Sequence, residues 1–247
     1  MSRRVTFATA ARVLLQLRHD RRTLALLWGV PIVLQALVKA VFWDQDPVFQ
    51  RLGAPLLGVF PMTSMFLVTS VAMLRERTSG TLERLLTMPM AKLDLLLGYA
   101  LAFGVLAAVQ ATLAAAVAFG LLGLESGGPA WGVVLLAVLN AVLGMAMGLF
   151  VSAFASTEFQ AVQFMPAFLL PQFLLSGLLG PRERMLPALE AVSNLLPMTY
   201  AYDALARVAR GDGLAGQLGT DVAGPVLITP PAPRPGAPTP PRTPPQS

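Results

Sequence analysis

The chain has 247 residues, of which 55% are hydrophobic and 13% charged, and its mean hydropathy is +0.65, so it carries more apolar surface than one water-facing globule could hide. No cysteine occurs and His19 is the one histidine, which excludes disulfides, thiolate metal sites, multi-histidine sites and HExxH zinc chemistry. The net charge of +5 comes without a long basic run interleaved with aromatics, so it excludes nucleic acid as a partner and reads instead as a membrane-topology signal.

Residues 1–22 carry Arg3, Arg4, Arg12, Arg18, Arg21 and Arg22 against a lone Asp20, the signature of a cytoplasmic segment. At 100° per residue, Phe7, Ala10, Leu14 and Leu17 gather on one side and Arg4, Arg12, Gln16, His19 and Arg22 on the other. This predicts an amphipathic helix lying in the headgroup plane. The first apolar run, about 24–43, has no small-residue cleavage signature behind it and reads as a retained span. Lys39 falls in its last turn, where its stem can snorkel to water.

Further apolar runs cover about 53–74, 93–122, 131–154 and 164–179, the last short and interrupted by Pro166 and Pro171. The link over 123–130 holds Glu125 and no basic residue, which suits the outer side. Gly144 and Gly148 form a GxxxG pair, read as a seam for close packing within the chain. The expectation is an all-α, polytopic transmembrane helix bundle of about five spans.

Catalytic patterns are sparse. Gly211 to Gly216 fit GxGxxG, but no strand precedes them, so they read as a turn. No Gly-Lys dipeptide occurs, so the chain has no P-loop with which to hydrolyse nucleotide. Glu158 stands alone before the fifth run, without a carboxylate or histidine near in sequence for acid-base work. The reading is a protein that is not an enzyme and needs no cofactor, with lipid as its immediate surroundings.

The informative stretch is Leu74-Arg-Glu-Arg-Thr-Ser-Gly-Thr-Leu-Glu-Arg-Leu-Leu-Thr-Met-Pro-Met90. Leu82, Leu85, Leu86 and Pro89 recur at i, i+3, i+4 and i+7, predicting a short helix with one apolar side and with Glu83, Arg84 and Thr87 on the other. Two turns are too short to stand alone in water, so that side must rest on something. The stretch resembles the first cytoplasmic loop of type-2 ABC exporter permeases. Thr157 to Pro166, Leu170-Pro171-Gln172 and Ser193 to Tyr200 are similar to the signature region of the same family, especially its drug- and antibiotic-export branch.

That resemblance implies a six-helix half-transporter of the cell inner (plasma) membrane. It implies pairing with a second permease copy or paralogue and with two cytoplasmic ABC ATPase subunits, and a cargo of small amphiphilic or drug-like molecules. Thr81, Leu82, Glu83, Arg84, Leu85 and Leu86 would form the coupling helix that docks in a groove of the ATPase, with Glu83 and Arg84 at its rim. Residues 181–210 would resemble the family's outer re-entrant element. Met62, Met65, Phe66, Phe168 and Phe173 are candidates for an uncharged substrate path. The alternatives are export of a lipid-linked glycan and a non-transporting membrane immunity or scaffold protein.

The resulting division is an interfacial helix over 1–22, a permease domain over 23–221 and a proline-rich disordered tail over 222–247. The sixth span expected of the family has no apolar run to form it. From Pro225 to Ser247 proline fills 10 of 23 positions, which forbids a spanning helix, and the expectation is a frameshifted or truncated ending after about Asp221.

Overall fold

The computed structural model describes residues 3–81, 92–180 and 182–211. Among them every regular element is helical. Helix α1 (Arg3–His19) stops where Asp20 becomes the N-cap of α2 (Arg21–Val41): its carboxylate accepts from the Thr23 N–H at 3.1 Å and the Thr23 hydroxyl at 2.6 Å. The interfacial helix expected to reach residue 22 is thus cut at His19 by a cap. In the last turn of α2, Lys39 pairs with Asp46 and lies 4.8 Å from the centre of the Phe49 ring, a snorkelled lysine with a packing role.

Helix α3 (Asp46–Thr78) has 33 residues, about 50 Å at 1.5 Å per residue, against roughly 30 Å of hydrocarbon. It outruns its apolar stretch at both ends. Pro47 sits in the first turn, where no N–H is needed, and the charged last turn can stay helical in the headgroup zone. Gly80, at φ 71°, then takes the left-handed conformation that breaks it off.

Helices α4 (Lys92–Gly120), α5 (Ala130–Ser152) and α6 (Glu158–Leu175) follow. A 3₁₀ turn (Arg182–Arg184), α7 (Pro187–Ser193) and α8 (Pro197–Arg210) complete the order, and α8 is closed by Gly211 at φ 83°. Among the described residues, α2, α3, α4 and α5 are long and apolar enough to cross a membrane. The fifth apolar run forms the 18-residue α6, whose Glu158, Gln160, Gln163 and Gln172 and two interior prolines hold it below that apolarity.

The bundle is organised around α3. Helix α5 lies along it on a stripe of small residues: a Cβ added at Gly144 would sit 2.1 Å from the Met62 carbonyl oxygen, and one at Gly148 2.3 Å from that of Phe66. The glycine pair therefore closes an intrachain seam, as expected. Helix α4 turns Ala107, Ala111, Ala114 and Ala118 inward for the same reason. Large apolar side chains point outward instead: Leu26, Val33 and Leu37 on α2, Leu96, Leu101 and Val105 on α4, and Leu135 and Phe150 on α5 are all exposed. Small residues at the helix seams with leucines facing outward is an arrangement lipid permits and water penalises.

Helix α1 crosses the start of α4, burying Thr9, Ala10 and Val13, with Leu14 and Leu17 packed alongside. Part of its apolar side thus meets protein, while Phe7 and Leu15 remain exposed at the rim. The opposite end of the bundle is tied by Gln50, whose side chain donates to the Gly123 carbonyl and accepts from the Glu125 N–H, and by the Gly127 N–H donating to Ala209. Residues 82–91 and 212–247, which include most of the expected coupling segment and the whole proline-rich tail, lie outside the described residues.

Candidate functional site

The last turn of α3 carries three consecutive charges, Arg75, Glu76 and Arg77. Successive side chains on a helix diverge by about 100°, so the three reach three different neighbours. Arg75 grips Glu158 at the start of α6 with two parallel bonds, Nε to Oε1 at 2.7 Å and Nη2 to Oε2 at 3.0 Å. Glu76 is buried beneath α1 and meets Arg12 Nη2 at 3.4 Å. Arg77 Nη1 donates to the Ser152 carbonyl at the end of α5, at 2.6 Å. The same Arg12 nitrogen donates to the Tyr99 hydroxyl of α4 at 2.7 Å. One helix end is thereby fastened to α1, α5 and α6, and through Arg12 to α4, at the point where the chain enters the 82–91 segment.

Two carboxylates here are held charged. The Thr23 hydroxyl and then its N–H lower the Asp20 carboxyl below its ordinary value, and the Arg75 guanidinium does the same for Glu158. A depressed folded value means that the stabilisation is complete above the unfolded carboxylate range, about 4.3 for glutamate, and is lost as pH falls through the folded value below it. Wild type and Glu158→Gln are therefore expected to differ in thermal midpoint at pH 6 and to converge by about pH 3. The gap should be small, under about 1 kcal/mol, because both partners are half exposed. Thermal scans of both proteins at the two pH values check this.

Of the residues expected to couple to an ATPase, the structure describes Thr81, whose hydroxyl lies 2.9 Å from that of Ser79; Leu82, Glu83, Arg84, Leu85 and Leu86 lie outside the described residues. The expected substrate-path residues separate. Met62 and Phe66 are fully buried in one cluster with Leu169 and Met198, and Phe173 packs against it. Met65 belongs to a different cluster, with Tyr99 and Phe103, and Phe168 is 40% exposed. Phe173 also borders an open cavity of about 670 Å³ at the other end of the bundle, with Phe42, Arg51 and Leu178.

Sequence reasoning missed the fastening of α3. Glu158 has its partner in Arg75, 83 positions away, and Tyr99 has its own in Arg12, 87 positions away. Only the unbroken Arg-Glu-Arg at a span end hinted at it.

The family model described as ABC-2 type transporter matches residues 4–208. Among curated proteins, the probable multidrug ABC transporter permease YbhR of Escherichia coli K12 is 28% identical over 148 residues, 60% of this chain and 40% of that protein. ABC transporter G family member 20 of Dictyostelium discoideum is 29% identical over 148 residues, 60% of this chain and 20% of that protein. The match thus spans less than half the length of either relative. No solved structure matches. With a helical bundle of several membrane-crossing helices and a family match over most of its length, this chain belongs to the ABC-2 type transporter family, the type-2 ABC permeases.

Proposed function

We propose that the chain is the permease subunit of an ATP-driven exporter that moves small amphiphilic or drug-like molecules out of the cell, energised by separate cytoplasmic ATPase subunits. Two ATPase copies and a second permease copy or paralogue complete the assembly, which sits in the inner (plasma) membrane. The observation that carries this reading is the fastening of α3 at Arg75, Glu76 and Arg77. A coupling segment over Thr81 to Leu86, mounted directly beyond that turn, would pass its displacement to four other helices as rigid-body motion instead of losing it in a loop. In this reading α6 is the fifth span, its polar start remaining at the headgroups and its two prolines covered by neighbouring helices. The name of the Escherichia coli relative, a probable multidrug permease, supports the cargo class.

The orientation follows from charge. Among the described side chains, the end holding α1 and the last turn of α3 carries eight lysines and arginines against four carboxylates, and the other end six against five. By the positive-inside rule this supports a cytoplasmic first end, with the N-terminus on the same side. The chain has no cysteine, so Ser79→Cys and Glu125→Cys each create a unique thiol. An impermeant maleimide added to intact cells should label position 125 and spare position 79; the reverse pattern would invert the topology. ATP-dependent efflux from vesicles holding the permease with its ATPase tests the function itself.

A further inference from the structure

A cavity of about 290 Å³ lies among α1, α2, α3 and α4 at the basic end. Leu67, Val68, Val71 and Phe103 form its apolar wall, and Asp20, Glu76 and the Tyr99 side chain lie on its polar side. Leu26 lines it too, yet is 64% exposed on the lipid-facing side of α2, so the cavity meets the bilayer.

Glu76 is 7% exposed, and only half of its carboxylate is used. Oε1 faces Arg12 and the Tyr99 hydroxyl interacts with the same carboxylate, whereas Oε2 is buried and has no partner within hydrogen-bond distance among the described residues. A buried carboxylate oxygen without a donor is costly and calls for one. The neighbouring cations are already engaged: Arg12 with Oε1 and Tyr99, and Arg75, which also lines the cavity, with both oxygens of Glu158.

We propose that this cavity binds a primary ammonium group carried on an apolar body. The ammonium donates to Glu76 Oε2 with Asp20 nearby, the first carbons lie on Val68, Val71 and Phe103, and the rest of the chain leaves past Leu26 into the bilayer. An anion would face two carboxylates, a neutral alcohol forgoes the charge, and a quaternary ammonium has no N–H to give. The volume is at the small end of ligand cavities and suits a head with a short apolar stem. The proposal rests on the export reading and names its substrate class and point of loading.

The test is calorimetric titration of the whole chain in phosphatidylcholine nanodiscs, with empty discs as the baseline. Decylammonium should bind saturably, with decyltrimethylammonium and decanoate about tenfold weaker or more. Glu76→Gln should weaken decylammonium by about tenfold or more. Ala72→Phe, which fills the cavity without touching the ion pair, should abolish binding and carries the test if Glu76→Gln does not fold. Equal affinity for the three amphiphiles, or wild-type affinity in the folded variants, overturns the proposal. Displacement of decylammonium when phosphatidylethanolamine replaces part of the lipid assigns the ammonium to a bilayer lipid, and its absence assigns it to a free amphiphile. Because binding needs no ATPase, the two readings fail separately: selective binding without ATP-dependent transport refutes export alone, and transport without ammonium selectivity refutes this site alone.

Discussion

Gly144→Val is expected to destabilise the bundle by about 3 kcal/mol or more, among the largest losses for a single change at the described glycines. A Cβ at 144 would stand 2.1 Å from the Met62 carbonyl oxygen and 2.8 Å from its carbon, and both are helix backbone at a buried residue. A flexible side chain could swing aside, but a helix carbonyl cannot, so α5 must move away from α3 and open the seam on which the bundle closes. Gly148→Ala should act in the same direction through Phe66 and Thr69. Gly104 is the control: nothing lies within 4 Å of its added Cβ, so Gly104→Ala should be neutral or raise stability by up to about 1 kcal/mol through helix propensity. Thermal unfolding of the three variants in one detergent checks the order. A Gly144→Val protein as stable as Gly104→Ala would mean that the α3–α5 seam is not formed as described.

Much of the bundle was legible because lipid enforces crude rules. A spanning helix must be apolar for about 20 residues, and the runs at 24–43, 53–74, 93–122 and 131–154 each became one helix. Their ends were less legible, since hydropathy falls at the headgroups while the helix continues: α3 begins at Asp46 and ends at Thr78, well outside its apolar core. The small-residue pair at Gly144 and Gly148 was visible, but its partner was not, because nothing near in sequence records that Met62 and Phe66 stand opposite.

The substrate-path residues show a different difficulty. Met62, Met65 and Phe66 look like one face on a helix, yet α3 packs against neighbours on several sides, so Met65 enters a different cluster from its neighbours. Periodicity identifies the inward side of a helix with one buried face and does not sort the neighbours of a helix packed on several sides. The pairs Arg75–Glu158 and Arg12–Tyr99 join positions more than 80 residues apart, and only the fold brings them together.

Leu85→Asp combined with Glu83→Lys is expected to abolish ATP-driven export and co-purification of the ATPase while leaving the bundle's thermal midpoint unchanged. Both positions lie in the sequence that follows the Gly80 break of α3. The spacing of Leu82, Leu85 and Leu86 calls for an apolar partner, and an unpaired aspartate pressed into such a contact costs several kcal/mol. Glu83→Lys alone should be nearly silent, because an exposed ion pair contributes about 0–1 kcal/mol. Arg77→Ala separates docking from transmission. It removes the bond to Ser152 without altering the 81–86 segment, so the ATPase should still co-purify while export falls, since the last turn of α3 is no longer tied to the end of α5 and can give locally under the displacement of the coupling segment. A double variant that exports at the wild-type rate with its ATPase attached would remove the coupling role from this segment, and an Arg77→Ala protein that loses the ATPase would make the last turn of α3 part of the docking surface itself.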